Sequence, residues 1–493
     1  MAKTEFGVEV KQATGPLVLA VDVGSTASRG ALYDQTGQPA GQRHKVPHAF
    51  DTSDDGRSTI DPDQVVAEVV EILDELTDRA GKKPIAAVAM DTFASSVVGV
   101  DGMGRALTPC FTYADSRCVP QVAEISAEID PAKTQQRVGT RQHTSYLPAR
   151  LRWARANLAE FGKVHRWLSL GEYVHQQVLG TAAASTSVAS WSGMLDIHTM
   201  AWDREMLSLA GIHPDQLSPV HHPDQPVTPV CQVGDRWKNL ADAVWFPVIA
   251  DGFASNLGTG ADNPRTIAAA AATSGAMRVL LPKTPKKIPS GLWCYRVDAE
   301  RSLLGGALND VGRLASWLEA TVNLPDGLDA ALGSDPVIDA PITLPYLTGE
   351  RATGWASGAR LSQVGMTAGS TPESIARSAM EAVTFTYARV AEDLEKSATG
   401  VEQILASGRV STELPGLMQL LADALGTPVT PVTIKRATLH GTALHALEVL
   451  SPGGDRAEPT HGKTYEPRTE FADIVAERRQ RFEQTYTRLI EQS

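Results

Sequence analysis

Short apolar runs that end in small polar residues dominate the first half of the chain. The run Leu17–Val23 is apolar except for one aspartate, passes into the turn Gly24–Thr26 and is followed by a second run at Gly30–Tyr33. This pattern predicts a strand, a tight turn and a second strand, with polar groups at the tip of the hairpin. The run Ile85–Met90 predicts a further strand.

A helix is predicted to begin at Asp61. Asp61 is a favourable N-cap, Pro62 suits the first helical position, and Gln64 could close a capping box with the cap residue. The apolar residues that follow recur at the spacing of a helix with one buried face; they are Val65, Val66, Val69, Val70, Leu73 and Leu76.

The second half of the chain repeats this plan. Strands are predicted at Ile267–Ala272 and Met277–Leu281, on either side of the turn Thr273–Gly275, and a later strand is predicted at Gln403–Ala406. Helical patterns follow the second hairpin at Thr371–Lys396, Leu417–Leu425, Thr438–Val449 and Phe471–Gln492.

Two halves that each open with strand, polar turn and strand indicate a duplicated α/β domain. Loops rich in proline and aspartate lie near the middle of the chain. We therefore expect an N-terminal domain over residues 16–252, a C-terminal domain over residues 253–450, and a polar tail with a charged helix over residues 451–493.

Composition narrows the functional classes. The 493 residues carry a net charge of −12, which disfavours nucleic acid because its binding needs a basic face. The four cysteines do not have zinc-site spacing. No stretch reaches the roughly 18 apolar residues of a membrane span, and the segment Met1–Gly15 lacks the apolar core of a signal peptide. We expect a cytoplasmic protein without nucleic-acid or membrane partners.

Several familiar catalytic motifs are absent. The only Gly-Lys-Thr, at Gly462–Thr464, has Ala457 where a P-loop needs its first glycine. The segment Gly258–Gly260 lacks the third glycine of a dinucleotide-binding turn. Neither HExxH nor GxSxG occurs, which argues against a metalloprotease or a serine hydrolase.

The segment Asp22–Arg29 is the first candidate for phosphate chemistry. An acidic residue ends a buried strand and small hydroxyl-bearing residues follow it. Amides and hydroxyls of such a turn can bind phosphate oxygens, while Asp22 faces Mg²⁺ directly or through water. The alternative is a plain hairpin turn with a solvated aspartate. A second turn of the same kind, Ala272–Gly275, strengthens the phosphate hypothesis, because two such turns could hold a polyphosphate from both sides.

Asp251 is the candidate general base. It follows the apolar run Trp245–Ala250, precedes Gly252 and a predicted helix, and lies at the predicted domain boundary. A carboxylate at a strand end can accept the proton of a substrate hydroxyl. The alternative role is a helix N-cap, and the two roles are compatible.

Taken in order along residues 16–450, these segments resemble the FGGY family of carbohydrate kinases, which includes glycerol, xylulose and gluconate kinases. Each segment alone is weak, whereas the ordered set is specific. The segments are Asp22–Arg29, Thr112–Arg117, Asp251–Gly252, Ala272–Gly275, Gly305–Asn309 (which resembles a G-G-x-x-N loop of the family), Leu344–Arg351, Ser407–Gly408 and Leu421–Gly426.

The resemblance implies two actin-like (ribonuclease H-like) domains around a cleft, with ATP and Mg²⁺ as cofactors. The catalytic residue would be Asp251, and Asp22 and Asp251 would be the metal residues. Substrate would contact Ser95, Asp115, Arg117 and Asp251. The implied ATP-binding residues are Gly24, Ser25, Thr26, Arg29, Thr273, Ser274, Gly275, Gly305, Gly306, Asn309, Ser407, Gly408 and Arg409.

Within the family, the gluconate-kinase group is the most similar, and gluconate is the first substrate hypothesis. Three positions depart from the family pattern. Arg409 replaces the second glycine of the adenosine loop, Ala94 and Ser95 replace a Met-His pair near the substrate, and Ala356 replaces the aspartate of a Trp-Asp pair. The alternative substrates are xylulose or a pentitol or tetritol.

A different class of function stays open at this stage. A catalytically silent actin-like protein that senses nucleotide or sugar would explain Arg409 and Ala356, but it would not need the retained carboxylates Asp22 and Asp251. A small-molecule sugar, polyol or sugar acid is the expected partner in either case, and a homodimer is possible.

Overall fold

The computed structural model describes residues 7–492, so the first six residues of the segment expected to lack a signal peptide lie outside it. The chain forms two compact units. The first contains the residues up to Gly258 together with Cys294–Ser302 and Arg436–Glu458, and the second contains Thr259–Trp293, Leu303–Lys435 and the residues from Pro459.

The first unit is built on a mixed sheet. β1 is antiparallel to β2 and parallel to β4; β2 is antiparallel to β3; and β5 and β6 both run parallel to β4. The strand order is β5–β4–β1–β2–β3, with β6 also beside β4. The strands are β1 (Leu17–Val23), β2 (Ala27–Tyr33), β3 (Pro39–Pro47), β4 (Ile85–Thr92), β5 (Val244–Trp245) and β6 (Ile249–Ala250).

Both faces of this sheet are buried, which explains why β1 is apolar except for Asp22. Leu17, Leu19 and Val21 pack in the same core as the helix Pro62–Ala80. The intervening residues pack against the helix Ala437–Leu450. That helix falls within residues 253–450, expected to form the C-terminal domain, whereas in the structure it belongs to the first compact unit. A strand that is apolar on both faces must pack against other elements on both sides, and the helix Ala437–Leu450 packs on the second face.

The helix Pro62–Ala80 begins as predicted, with the Asp61 carboxylate accepting a hydrogen bond from the amide of Asp63. The predicted capping box is wrong, because the Gln64 side chain donates to Glu68 instead. The single strand predicted before Asp251 is interrupted between β5 and β6, where a proline has no amide to donate to the ladder.

The second unit repeats the plan of the first. β7 is antiparallel to β8 and parallel to β10, and β10 is parallel to β11. These strands run in the order β9–β8–β7–β10–β11. They are β7 (Thr266–Ala271), β8 (Gly275–Leu281), β9 (Ser302–Leu308), β10 (Gln403–Ser407) and β11 (Val429–Pro431). The predicted α/β class with a duplicated sheet-containing unit is confirmed.

The remaining elements complete the two units. The predicted tail helix ends earlier than expected, at Tyr486, and a π-helix over Thr487–Glu491 follows it. Other short strands are Asp51–Thr52, Ser58–Ile60, Val98–Val100, Cys110–Phe111, Arg166–Leu168, Ala184–Ser185, Val220–His221, Trp293–Arg296, Ile342–Leu344 and Ser362–Val364. Other helices are Val119–Glu128, Pro131–Val138, Leu147–Asn157, Leu170–Leu179, Thr186–Trp191, Arg204–Ala210, Val233–Arg236, Asp251–Thr259, Gly312–Thr321, Leu328–Leu332, Pro372–Glu395, Arg409–Glu413, Pro415–Leu425 and Ala472–Tyr486.

Within residues 7–492, none of the helices is both long enough and apolar enough to cross a membrane.

Candidate active site

Three aspartates lie at the carboxyl ends of neighbouring parallel strands in the first unit. Asp22 on β1 is directly opposite Asp91 on β4, and β6 pairs with the end of β4 just before Asp251. Asp251 is then the first residue of the helix Asp251–Thr259. We call this group, Asp22, Asp91 and Asp251, the acidic edge. Ligands of open α/β sheets bind at this end of the strands.

Asp91 was not among the predicted site residues. It is the next-to-last residue of an apolar strand, as Asp22 is, and that shared pattern is the signal that could have found it. Its side chain is fully buried and accepts a hydrogen bond from the hydroxyl of Thr442 at 2.5 Å. The helix that carries Thr442 thus reaches the acidic edge from the far end of the sequence.

The first polar turn is fastened by side chains. The amide of Gly24 donates to the carbonyl of Ala27 at 3.1 Å, which closes the turn. The Arg29 guanidinium donates to that same carbonyl and to the Thr26 hydroxyl, and it pairs with Asp22 at 3.3 Å. Arg29 was predicted to contact phosphate; in the structure it ties the turn to the acidic edge.

Ser95 has a positive φ of 58°, which is unusual for a residue with a side chain. Its hydroxyl donates to the carbonyl of Trp191 at 2.6 Å, and its own carbonyl accepts from the buried Arg150 at 2.6 Å. The predicted substrate-facing hydroxyl therefore already has a protein partner.

Asp115 and Arg117 form a pair that braces the first unit. Asp115 is buried and accepts from the Arg117 guanidinium at 2.7 Å and from the amide of Ser58 at 3.1 Å. The guanidinium also lies 4.2 Å from the ring centre of Trp153. The substrate role of both residues stays a prediction.

The second polar turn is fastened by backbone groups. Thr273 and Ser274 are exposed at its tip, and β8 starts at Gly275. The amides of Val311 and Arg313, where the helix Gly312–Thr321 begins, donate to the carbonyl of Thr273. Backbone groups at the start of this helix therefore hold the turn whose tip carries Thr273 and Ser274.

Ser407 and Gly408 lie at the same edge as this second turn. Ser407 ends β10 opposite Ala270 of the parallel strand β7. Gly408 has a φ of 102°, and a Cβ there would lie 2.4 Å from the carbonyl oxygen of Ala271, so only glycine fits. We call Thr273, Ser274, Ser407 and Gly408 the hydroxyl edge.

Arg409 begins a short helix beside the hydroxyl edge. Its side chain is 66% exposed and pairs with Glu413, four residues along the same helix, at 2.7 Å. The side chain therefore runs along its own helix in this structure, and its relation to adenine stays a prediction.

The predicted loop Gly305–Asn309 is largely a strand. Gly305 and Gly306 lie inside β9, where a Cβ would come within 2.4 Å of the Trp293 ring and 2.8 Å of Ala352, respectively. The loop assignment is wrong, because these glycines make room for neighbouring side chains. Asn309 follows the strand and donates to the carbonyl of Gly349 at 2.9 Å.

Comparison with known proteins now places the chain in a family. Residues 17–232 match the N-terminal domain of the FGGY family of carbohydrate kinases, and residues 268–448 match its C-terminal domain. The chain belongs to the FGGY family of carbohydrate kinases. This FGGY kinase is accordingly an ATP-dependent sugar kinase with the actin-like fold that the sequence predicted.

Its relatives differ in their named substrates. It is 26% identical over 412 residues to the gluconokinase of Bacillus subtilis (strain 168), covering 79% of each chain. It is 26% identical over 461 residues to the glycerol kinase of Gloeobacter violaceus, covering 90% of each. It also resembles the crystal structure of a gluconate kinase from Lactobacillus acidophilus, with a TM-score of 0.88, 25% identity and coverage of 96% of this chain and 98% of the other.

The electrostatics of the acidic edge fit a divalent cation in this FGGY kinase. Burial raises the pKa of the Asp22 carboxyl, and the Arg29 guanidinium offsets part of that rise. Burial, followed by the charge of Asp22, raises the pKa of Asp91 well above its usual value, and the charge of Asp251 adds to it. Clustered carboxyl groups of this kind favour a bound proton or a cation between them.

The described residues include no group of three His, Cys, Asp or Glu side chains arranged to enclose an ion. Mg²⁺ keeps several waters and is usually held by one or two carboxylates together with substrate phosphates. The metal role of Asp22 and Asp251 stays a prediction.

Proposed function

We propose that this FGGY kinase transfers the γ-phosphoryl group of ATP to a hydroxyl of an open-chain polyhydroxy acid, with gluconate as the first candidate. The observation that carries the proposal is the position of Asp251, partly exposed at a strand end beside Asp22 and Asp91. The gluconokinases among the relatives support gluconate, whereas the glycerol and xylulose kinases keep other substrates open.

In the proposed mechanism, the Asp251 carboxylate accepts the proton of the substrate hydroxyl as that oxygen attacks the γ-phosphorus. The bond from phosphorus to the bridging oxygen breaks, ADP leaves, and the proton passes from Asp251 to solvent. Bound Mg²⁺ would offset the charge of the phosphate oxygens. Such transfer depends on positioning and charge neutralisation, which polar turns and carboxylates supply.

The two units take different parts in this proposal. The first unit would bind mainly the sugar and carry the base, and the second would bind mainly the nucleotide through the hydroxyl edge. Thr26 and Thr273 are the proposed phosphate contacts, since both are exposed at the tips of their turns. Arg29 would act on phosphate through the turn that it fastens.

A second candidate function is the phosphorylation of xylulose, a pentitol or a tetritol. It is favoured by Ser95, which stands in place of the family's histidine and whose hydroxyl already donates to the Trp191 carbonyl. A site with fewer directed hydrogen bonds discriminates less strongly among related hydroxyl compounds.

The test is ADP release from ATP with a panel of gluconate, other aldonic acids, xylulose, glycerol, pentitols and tetritols. We expect turnover with gluconate and less with the others. If only another compound gives turnover, the proposed substrate is wrong, but the kinase activity stands. Nucleotide binding without turnover on any compound would instead favour the silent sensor.

A further inference from the structure

A buried histidine holds the first polar turn at two points. The backbone amide of His48 donates to the carbonyl of Thr26 at 3.1 Å. Its ring nitrogen Nε2 lies 2.8 Å from the carbonyl oxygen of Gly24. One residue, just past the end of β3, therefore binds carbonyls on both sides of Ser25.

The other side of the ring faces a carboxylate. His48 Nδ1 lies 2.8 Å from Glu68 Oε2, on the helix Pro62–Ala80. Glu68 also accepts from the Ser28 hydroxyl at 2.6 Å and from the Gln64 side chain at 2.9 Å. Phe50 stacks on the ring with an interplanar angle of 15°. The His48 side chain is completely buried.

The hydrogen-bonding roles follow from these partners. Burial raises the pKa of Glu68, but the hydrogen bonds from His48, Ser28 and Gln64 outweigh it and leave the pKa lower than usual. Glu68 is thus an ionised acceptor, and a backbone carbonyl can only accept. The His48 ring therefore lies between two acceptors, the Glu68 carboxylate and the Gly24 carbonyl. Asp22 and Arg29, which pair with each other at 3.3 Å, are further charged groups at this turn.

The orientation of the turn follows from peptide planarity. In a trans peptide the carbonyl of one residue and the amide of the next point in opposite directions. Because the carbonyls of Gly24 and Thr26 point toward His48, the amides of Ser25 and Ala27 point away from it. Amides that point the same way from a turn form an anion-binding surface.

We propose that His48, held by Glu68, is a positioning residue that orients the amides of the first turn toward nucleotide phosphate. The inference rests on the proposed phosphate role of that turn. Neither side chain needs to touch substrate, because both act through the Gly24 carbonyl.

The chain contains a matched control. His44 Nε2 lies 2.7 Å from Glu71 Oε1, between β3 and the same helix that carries Glu68. This pair has the same chemistry but is partly exposed, with Glu71 54% accessible. Its substitution tests the loss of a histidine–glutamate pair without disturbing the turn.

The experiment compares His48→Ala, His48→Gln and Glu68→Gln with His44→Ala and Glu71→Gln in the full chain. Amide hydrogen exchange over residues 24–28, nucleotide affinity by calorimetry with MgADP, and KM and kcat are measured. We expect His48→Ala to speed exchange in the turn and weaken nucleotide binding by about tenfold, since the contact of the ring with the Gly24 carbonyl is lost. His48→Gln, which keeps an N–H donor, should recover part of the affinity, and the sugar KM should stay unchanged.

Unchanged exchange and affinity in a folded His48→Ala protein would overturn the proposal. Equal losses in the His44 and Glu71 variants would also overturn it, because the effect would then be general stability. If His48→Ala fails to fold, Glu68→Gln carries the test, since it keeps the size of the side chain and removes its charge. Exchange and MgADP binding need no acceptor substrate, so they decide this inference even if the gluconate panel fails.

Discussion

The two units have the same arrangement of central strands, but different groups hold their polar turns in place. In the first, the turn after β1 is held by the side chains of Arg29 and His48 and adjoins the acidic edge. In the second, the turn after β7 is held by backbone amides where the helix Gly312–Thr321 begins. A duplicated backbone therefore does not require duplicated side chains. The first turn should be sensitive to conservative side-chain changes, and the second to changes that disturb its backbone.

The acidic edge belongs to the first unit, and Asp251→Asn tests its role with the largest expected effect. Asparagine keeps the shape of the side chain but cannot accept the substrate proton, so we expect kcat to fall by about 10²–10⁴. MgADP affinity should fall much less than kcat, because Asp22 is retained. Asp262→Asn, at an exposed position beyond the same helix, is the control. A folded Asp251→Asn protein with near wild-type turnover would remove Asp251 as the base.

The hydroxyl edge is tested by Gly408→Ala. Alanine at a φ of 102° is strained, and its Cβ would meet the Ala271 carbonyl at 2.4 Å. We expect a loss of about 2 kcal/mol in the free energy of unfolding, measured by denaturant titration, together with weaker MgADP binding. Gly400→Ala is the matched control: Gly400 also has a positive φ, of 73°, but no neighbouring atom within 4 Å of the added Cβ. Equal losses in both variants would assign the effect to backbone strain alone.

Local patterns were sufficient to predict the two hairpins. The apolar run Leu17–Val23 and its counterpart near Ile267 became the central strands, because alternating faces and glycine-rich turns are local properties. The helix Ala437–Leu450 was predicted as a helix, but the sheet that it packs against was not predicted. Helical spacing specifies which face is buried, whereas the partner of that face is separated by hundreds of residues and leaves no local trace.

The same limit explains the site. Asp22 and Asp251 could be singled out because each follows apolar residues and has a glycine one or two positions later. Asp91 has the first of these signals, but its importance depends on being the strand neighbour of Asp22. Gly305 and Gly306 resembled a loop of the family, yet their lack of side chains leaves room for Trp293 and Ala352. A glycine pair does not distinguish space for a ligand from space for a neighbouring side chain.

The side-chain fastening of the first turn is tested by Arg29→Lys. Arg29 contacts Asp22, the Thr26 hydroxyl and the Ala27 carbonyl at once, and an ammonium cannot reproduce that planar fork. We expect the KM for MgATP to rise about tenfold with a smaller change in the sugar KM. Arg79→Lys, at an exposed pair with Glu75, provides the control. An unchanged KM for MgATP would mean that backbone bonds suffice for the first turn as well.

The smallest effect is expected from Arg409→Ala, at the border of the hydroxyl edge. Arg409 replaces a glycine of the family pattern, and its charge is engaged by Glu413 on an exposed helix. Exposed pairs at this spacing contribute about 0.3–0.5 kcal/mol, so the free energy of unfolding should hardly change. If the side chain stays along its helix when nucleotide binds, MgADP affinity should change by about twofold or less. Weaker binding by about tenfold would show that the guanidinium turns to stack on adenine, and tighter binding would show that it obstructs the nucleotide. Glu413→Gln separates these cases, because releasing Arg409 from its partner should strengthen binding only if stacking is the productive state.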